Sequence, residues 1–352
     1  MQGMELSRRF YREIVDPIIE SYAPNLAYSA ALIGPGSEVL GYDTEMSRDH
    51  DFGPRVILFI MDSDKEHTEA ITALLGQQLP QTFNGFPVHK SMTVITTLKQ
   101  FLKKHLAMDI HEPLELTDWL TFPSQSLLEM TRGEVFKDVT GQLSVLREQL
   151  RYYPDDIWLY LMASVWQRIG QEEHLMLRAG YVHDELGSSL IASRIVRDIM
   201  NLCFLLERQY APYPKWFGTA YQTLQSSELL APCLMGVLTA STWRERERLL
   251  HVAYTYLAEC HNKLGISDRI PEEASPFYER PFNVMKGEEI AERIAGRIQD
   301  RALRELSRHR LIGGIDQLTD NTDFRNLCTW EGGQGRAARE RLKRFYDPAR
   351  ND

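Results

Sequence analysis

Two aspartates, Asp49 and Asp51, stand one residue apart just before an apolar segment that begins at Arg55. If this segment is a strand, residues i and i+2 project from the same side, so the two carboxylates point together. Two carboxylates at such a short distance repel each other unless a cation lies between them. In proteins this cation is usually a divalent metal ion. The spacing predicts a Mg²⁺ or Mn²⁺ site at Asp49 and Asp51. The alternative is a solvated bend in which Asp51 caps a turn at Gly53.

A glycine turn precedes this pair, with Gly36 and Ser37 separated from Asp49 by eleven residues. Glycine has no Cβ, so backbone N–H groups can approach phosphate oxygens, and the Ser37 hydroxyl adds a donor. Arg55 follows the aspartates and can meet a phosphate, or it can pair with a nearby acid and be structural. These residue types predict a phosphate-binding turn beside the metal site.

The elements needed to position these residues follow from hydrophobic periodicity. In the first part of the chain, a helix is followed by two strands, a second helix and a further strand, which is an α+β layer arrangement. The continuous apolar segment Arg55–Met61 is typical of a strand covered on both faces. The predicted order is a helix in 6–24, strands in 27–34 and 55–61, a helix in 62–79 and a strand in 86–97.

The second part of the chain is mainly helical, with long apolar stripes at helical spacing. Pro154 and the two aspartates after it have the composition of a helix start. The sequence therefore predicts two domains, residues 1–150 with a mixed sheet and residues 151–352 composed mainly of helices.

The order strand, Gly-Ser turn, Asp-x-Asp, strand resembles the nucleotidyltransferase fold. Longer segments, GSEVLGYDTEMSRDHDFGPR, DELGSSLIASRIVRDIM and APYPKWFGTAY, are similar to a bacterial family of nucleotidyltransferase-like proteins of unassigned function. The resemblance implies transfer of a nucleoside monophosphate from ATP or another nucleoside triphosphate to a hydroxyl acceptor, with magnesium held by Asp49 and Asp51. It also implies a catalytic domain at 1–150 and an acceptor-side helical domain at 151–352 that also contacts nucleotide.

The sequence offers several candidates for the general base. Many members of this fold carry a third carboxylate on the next strand, but residues 86–97 contain no acid, and His89 is either a base or a hydrogen-bonded strand residue. The aminoglycoside nucleotidyltransferases, which the layout also resembles, imply an acid from the helical domain, and Glu185 beside Asp184 is the best candidate. The alternative is a helix start whose acids complement the macrodipole. Glu129 is a further candidate.

Lys215 is a second candidate contact for the triphosphate, because related enzymes use lysines near the cleft in this way. The other interpretation is a surface lysine whose alkyl stem covers the neighbouring Trp216.

The composition of the chain bears on the class of acceptor molecule and on the cellular compartment of the protein. The net charge of -9 argues against a surface that coats nucleic acid, so a small hydroxylated molecule is expected as acceptor. Transfer to RNA or protein, or nucleotide binding without catalysis, are the alternatives.

No segment has the length of a signal peptide core or of a membrane span, and the four cysteines lack paired spacing. The expected protein is cytoplasmic with reduced thiols.

Overall fold

The amino-terminal part of the chain alternates helices and strands. The computed structural model describes residues 2–46 and 53–347. A π-helical turn at Tyr11–Val15 joins the first two helices into one amphipathic stretch. The elements up to residue 149 are α1 (Gly3–Phe10), α2 (Asp16–Tyr22), β1 (Tyr28–Leu32), α3 (Ser37–Leu40), β2 (Val56–Ile60), α4 (His67–Gln78), β3 (Thr82–Phe83), β4 (Phe86–Pro87), β5 (Thr93–Thr96), α5 (Leu98–His105), α6 (Leu116–Trp119), α7 (Ser124–Thr131), β6 (Glu134–Asp138) and α8 (Gln142–Gln149).

The main sheet is mixed, with strand order β5-β2-β1-β6. β1 is antiparallel to β2 and to β6, whereas β2 and β5 are parallel. One face packs in a core with α1, α2 and α4, where Phe10, Leu58 and Leu75 are buried. On β2, Phe59 instead meets Phe101 of α5, with ring centroids 5.2 Å apart. The predicted α+β class with a mixed sheet is confirmed, as is a β2 strand buried on both faces.

The prediction of one continuous strand over residues 86–97 is wrong. Residues Phe86–Pro87 belong to a separate hairpin with β3, which turns at Asn84 and Gly85 in left-handed backbone conformations. A short 3₁₀ turn, Lys90–Met92, then interrupts the chain, and only β5 joins β2. The alternating apolar pattern continues across two elements that pair with different strands, so it cannot show the break.

The carboxy-terminal part is mainly helical. Asp184 caps the second long helix by accepting from Gly187 N at 2.8 Å. Among the described residues, no helix is long and apolar enough to cross a membrane. The elements are α9 (Asp155–Tyr181), α10 (Glu185–Leu206), α11 (Pro214–Tyr221), α12 (Ser227–Thr239), α13 (Trp243–Leu264), β7 (Ser275–Pro276), β8 (Asn283–Val284), α14 (Gly287–Ala295), α15 (Arg301–His309), α16 (Ile315–Leu318), α17 (Thr322–Arg325) and α18 (Gln334–Lys343).

The chain forms two compact units. Unit 1 contains the main sheet, and unit 2 contains the long helices. The sequence-based division crosses between domains once, at residues 150 and 151, whereas the chain crosses between these units several times. Unit 1 comprises Met1–Pro113, Ser124–Arg151 and Asn326–Arg339, and unit 2 comprises Leu114–Pro123, Tyr152–Arg325 and Glu340–Asp352.

Candidate active site

Four strand ends meet at one edge of the main sheet in unit 1. β1 ends beside the start of β2 because these strands are antiparallel, with Ala31 paired to Ile57. β6 begins beside the end of β1, where Leu32 pairs with Glu134, and β5 begins at the same edge because it is parallel to β2. We call the end of β1 and the starts of β2, β5 and β6 the turn edge. The Gly-Ser turn follows β1 directly and so belongs to this edge.

The two predicted metal ligands, Asp49 and Asp51, lie outside the described residues. They directly precede the described segment that leads into β2 at Val56. Within residues 2–46 and 53–347, no group of three or more His, Cys, Asp or Glu side chains could hold a metal ion. Metal binding at Asp49 and Asp51 therefore stays a prediction.

The turn after β1 requires glycine. Gly34 has φ of 89° and Gly36 has φ of 148°, a region that side-chain-bearing residues rarely adopt. A Cβ at Gly36 would lie 2.2 Å from Arg55 Nη2 and 2.8 Å from Glu38 Oε2. Ser37 then begins the four-residue helix α3. The absence of a side chain at Gly36 thus lets the backbone lie directly against the Arg55 guanidinium.

Two backbone hydrogen bonds attach this turn to the junction between α7 and β6. Gly34 N donates to the Glu129 carbonyl at 2.9 Å, and Gly133 N donates to the Val39 carbonyl at 3.0 Å. Gly133 has positive φ, and a Cβ there would lie 2.0 Å from the Leu32 carbonyl oxygen. The junction therefore holds the turn from both ends.

Arg55 stabilises the turn from the β2 side. Its Nη2 donates to the Pro35 carbonyl at 2.9 Å, and the same guanidinium forms an ion pair with Glu38 of α3. The Arg55 backbone N donates to Ser7 Oγ at 3.0 Å. Its Nε is buried and has no hydrogen-bond partner among the described residues. Arg55 is therefore paired with a nearby acid, as the structural interpretation of this residue predicts. The contact of Arg55 with phosphate stays a prediction.

Glu129 contacts the same turn through its backbone carbonyl and carries a carboxylate on its side chain. Its Oε1 accepts a hydrogen bond from Gln125 Nε2 at 2.7 Å. Burial raises the pKa of the Glu129 carboxyl above its ordinary value, and the Gln125 bond only partly opposes this. The sequence names Glu129 only as a further candidate, because nothing in the local pattern shows that α7 ends beside the Gly-Ser turn.

Glu185, the predicted base, begins α10 in unit 2. Its Oε2 accepts from Arg246 Nη1 at 2.6 Å, and its Oε1 accepts from Trp243 N at 3.3 Å. The Arg246 side chain is 3% exposed, so Glu185 neutralises a buried guanidinium. This contact gives Glu185 a structural role that the sequence does not reveal. Its catalytic role stays a prediction.

Lys215 and His89 have contacts that differ from their predicted roles. Lys215 lies on α11 of unit 2, with its Nζ 4.9 Å from the centre of the Trp216 ring, as in the surface-lysine interpretation. His89 is exposed and directly precedes the 3₁₀ turn, so it is not a strand residue. The first residue of β5 is Thr93, whose Oγ1 is buried without a partner among the described residues. A phosphate contact at Lys215 stays a prediction.

Part of the chain is similar to a known protein family, and the chain is also similar to a solved structure. Residues 119–217 match the model of a family described as "Domain of unknown function (DUF4037)". A comparison with curated proteins gave no match. Among solved structures, the chain is similar to a nucleotidyltransferase-like protein from Exiguobacterium sibiricum 255-15, with 12% identity over 72% of this chain and 75% of that one. The TM-score of 0.33 is too low for this likeness to support an assignment.

Proposed function

We propose that unit 1 transfers a nucleoside monophosphate from a nucleoside triphosphate to the hydroxyl group of a small acceptor. The observation that carries the proposal is the turn edge. Antiparallel pairing of β1 with β2 brings the Gly36–Ser37 turn to the same edge as the segment that follows Asp51. Phosphoryl transfer depends on positioning and on charge neutralisation, which a phosphate-binding turn and the aspartates predicted to hold a metal ion would provide together.

The residues of this edge have complementary roles. The N–H groups around Gly36 and the Ser37 hydroxyl bind triphosphate oxygens, and Arg55 adds positive charge beside them. Asp49 and Asp51 would hold Mg²⁺, because carboxylate oxygens are ligands that this ion prefers. When bound, the ion neutralises negative charge on the triphosphate. A small acceptor agrees with the net charge of -9, which disfavours a long polyanion.

The aspartate pair is tested by measuring Mg²⁺–ATP affinity calorimetrically in the wild type and in Asp51→Asn. We expect the variant to bind at least about tenfold more weakly, which corresponds to roughly 1.4 kcal/mol. Asp64→Asn is the matched control, because it makes the same chemical change beyond the opposite end of β2. Its affinity should stay within about twofold of the wild type, the scale of a substitution outside the site.

Equal affinity in Asp51→Asn and the wild type would contradict the metal site. Binding without pyrophosphate release, for every hydroxyl acceptor supplied, would favour a nucleotide-binding protein without catalysis. Labelled nucleotide that appears on tRNA or on a protein band would instead identify a macromolecular acceptor.

A further inference from the structure

The proposed transfer, on which this inference rests, needs a group that takes a proton from the acceptor. A hydroxyl oxygen becomes a good nucleophile towards phosphorus only as its proton leaves, and a positioned carboxylate can receive that proton. Among the described residues, β5 supplies no carboxylate at the turn edge, because it begins with Thr93 and reads Thr-Val-Ile-Thr. The base must therefore come from another element.

Two other acids at this edge are already paired with arginines. Glu38 of α3 forms its ion pair with Arg55, and Glu134 at the start of β6 pairs with Arg8 at 2.5 Å. Asp43, in the segment after α3, accepts instead from Gly3 N at 2.9 Å. Glu129 differs, because the contact described for its carboxylate is with the neutral amide of Gln125. A carboxylate without a cationic partner keeps its basicity, whereas an ion-paired one is a weaker base.

The position of Glu129 in the fold also supports its role as the base. The Glu129 carbonyl accepts from Gly34 N, so the backbone of Glu129 contacts the turn itself. This contact lies within unit 1 and joins residues that are far apart in the sequence. The carboxylate of Glu185, in unit 2, neutralises Arg246.

We propose that Glu129 is the general base of the transfer and contacts the acceptor hydroxyl beside the Gly36–Ser37 turn. The hydroxyl proton passes to the Glu129 carboxylate while the acceptor oxygen forms a bond to the α-phosphorus. The bond from the α-phosphorus to the bridging oxygen breaks, and pyrophosphate leaves with the electron pair. Glu129 then releases its proton to water, so the residue returns to its starting state.

The surroundings of Glu129 favour a raised pKa. Burial raises the pKa of this carboxyl. On the packed elements, Arg147 of α8 donates to the carbonyls of Met130 and Arg132, and Glu148 pairs with Arg151 at 3.4 Å. Glu38 of α3 is paired with Arg55, as described above. Arg132, which directly follows α7, acts on the Tyr42 hydroxyl. Burial is the largest cause of the raised pKa of Glu129, so the rate should rise with pH through a value above that of an ordinary glutamate.

The experiment follows pyrophosphate release from Mg²⁺–ATP, with glycerol as the hydroxyl probe, in the wild type, Glu129→Gln and Glu69→Gln. Glu69 is an exposed acid on α4 and serves as the matched control. We expect Glu129→Gln to lower kcat by about 10² to 10⁴ while Mg²⁺–ATP affinity stays within about twofold. In Glu129→Gln the rise of kcat with pH should also disappear. Glu69→Gln should keep the wild-type kcat and the wild-type rise with pH.

A second variant covers the case in which Glu129→Gln folds poorly. Glu129→Ala, with added formate as a small carboxylate, should regain part of the lost rate, because formate can occupy the vacated space and accept the proton. Wild-type turnover in Glu129→Gln, or no rescue of Glu129→Ala, would overturn the assignment. Loss of turnover in Glu185→Gln alone would overturn it in favour of that residue. A wild type that binds no Mg²⁺–ATP and releases no pyrophosphate would overturn the proposed function as well.

Discussion

At the scale of single residues, the Gly-Ser turn depends on the absence of one side chain. Gly36 combines a backbone angle that favours glycine with an approach to Arg55 that leaves no room for a Cβ. Gly41, which ends α3, also has positive φ, but a Cβ there would meet nothing within 4 Å. An added Cβ would therefore meet other side chains at Gly36 but open space at Gly41.

We predict that Gly36→Ala weakens Mg²⁺–ATP binding far more than Gly41→Ala does. An added Cβ at Gly36 displaces the guanidinium and closes the approach to the backbone N–H groups, whereas at Gly41 it adds only strain. Ser37→Ala should cost about 1 kcal/mol, the size of one hydrogen bond. Calorimetric titration of the three variants measures these effects. Equal affinities for Gly36→Ala and Gly41→Ala would show that the turn does not bind phosphate.

At the scale of elements, the α9–α10 interface contains buried charge. Asp198 of α10 is 3% exposed and lies 3.3 Å from Arg168 Nε of α9. Beside it, Glu172 of α9 pairs with Arg194 of α10. Burial raises the pKa of Asp198 to about 6, although the neighbouring arginines oppose the shift. The helix interface thus carries a carboxyl that titrates well above its ordinary value.

The raised pKa predicts a pH-dependent stability. Between about pH 4 and pH 6 the folded protein binds more protons at Asp198 than the unfolded chain does, so this residue destabilises the fold as pH rises. Asp198→Asn removes the titration, so its stability relative to wild type should improve by about 2 to 3 kcal/mol between pH 4 and pH 7. Urea unfolding at both pH values measures the difference, and any constant cost of leaving Arg168 unpaired cancels.

Asp320→Asn is the control for this prediction. Arg197 lowers the pKa of Asp320, so that carboxylate stabilises the fold above its unfolded pKa and loses this effect as pH falls. The two variants should therefore show relative stabilities of opposite pH dependence. The same pH dependence in both would contradict the assignment of the titration to Asp198.

At the scale of the whole molecule, a segment near the carboxy-terminal end completes unit 1. Residues Asn326–Arg339 cluster with the sheet-containing unit, and Leu327 and Cys328 are buried there. Arg339 is 3% exposed and donates from Nη1 to the carbonyls of Leu106 and Ala107, each at 3.1 Å. A division of the chain at residue 150 would therefore remove part of the core of unit 1.

We predict that Arg339→Ala destabilises the full chain by about 2 to 4 kcal/mol, because two buried carbonyls lose the charged donor that they share. Arg341→Ala is the matched control, since Arg341 is exposed on the same helix α18. Its effect should stay within about 0.5 kcal/mol. Urea unfolding followed by circular dichroism compares the two. A similar loss of stability in both would assign the effect to the helix rather than to the buried guanidinium.

The amino-acid sequence by itself determined the order of elements around the candidate site and the chemical types of its residues. A continuous apolar segment and a glycine turn are local signals, so β1, the turn and β2 could be predicted from them. Only the tertiary structure decided that Glu129 contacts the turn, that Arg55 pairs with Glu38, and that Glu185 neutralises Arg246. These contacts depend on strand register and helix packing, which join distant segments and leave no mark on local periodicity.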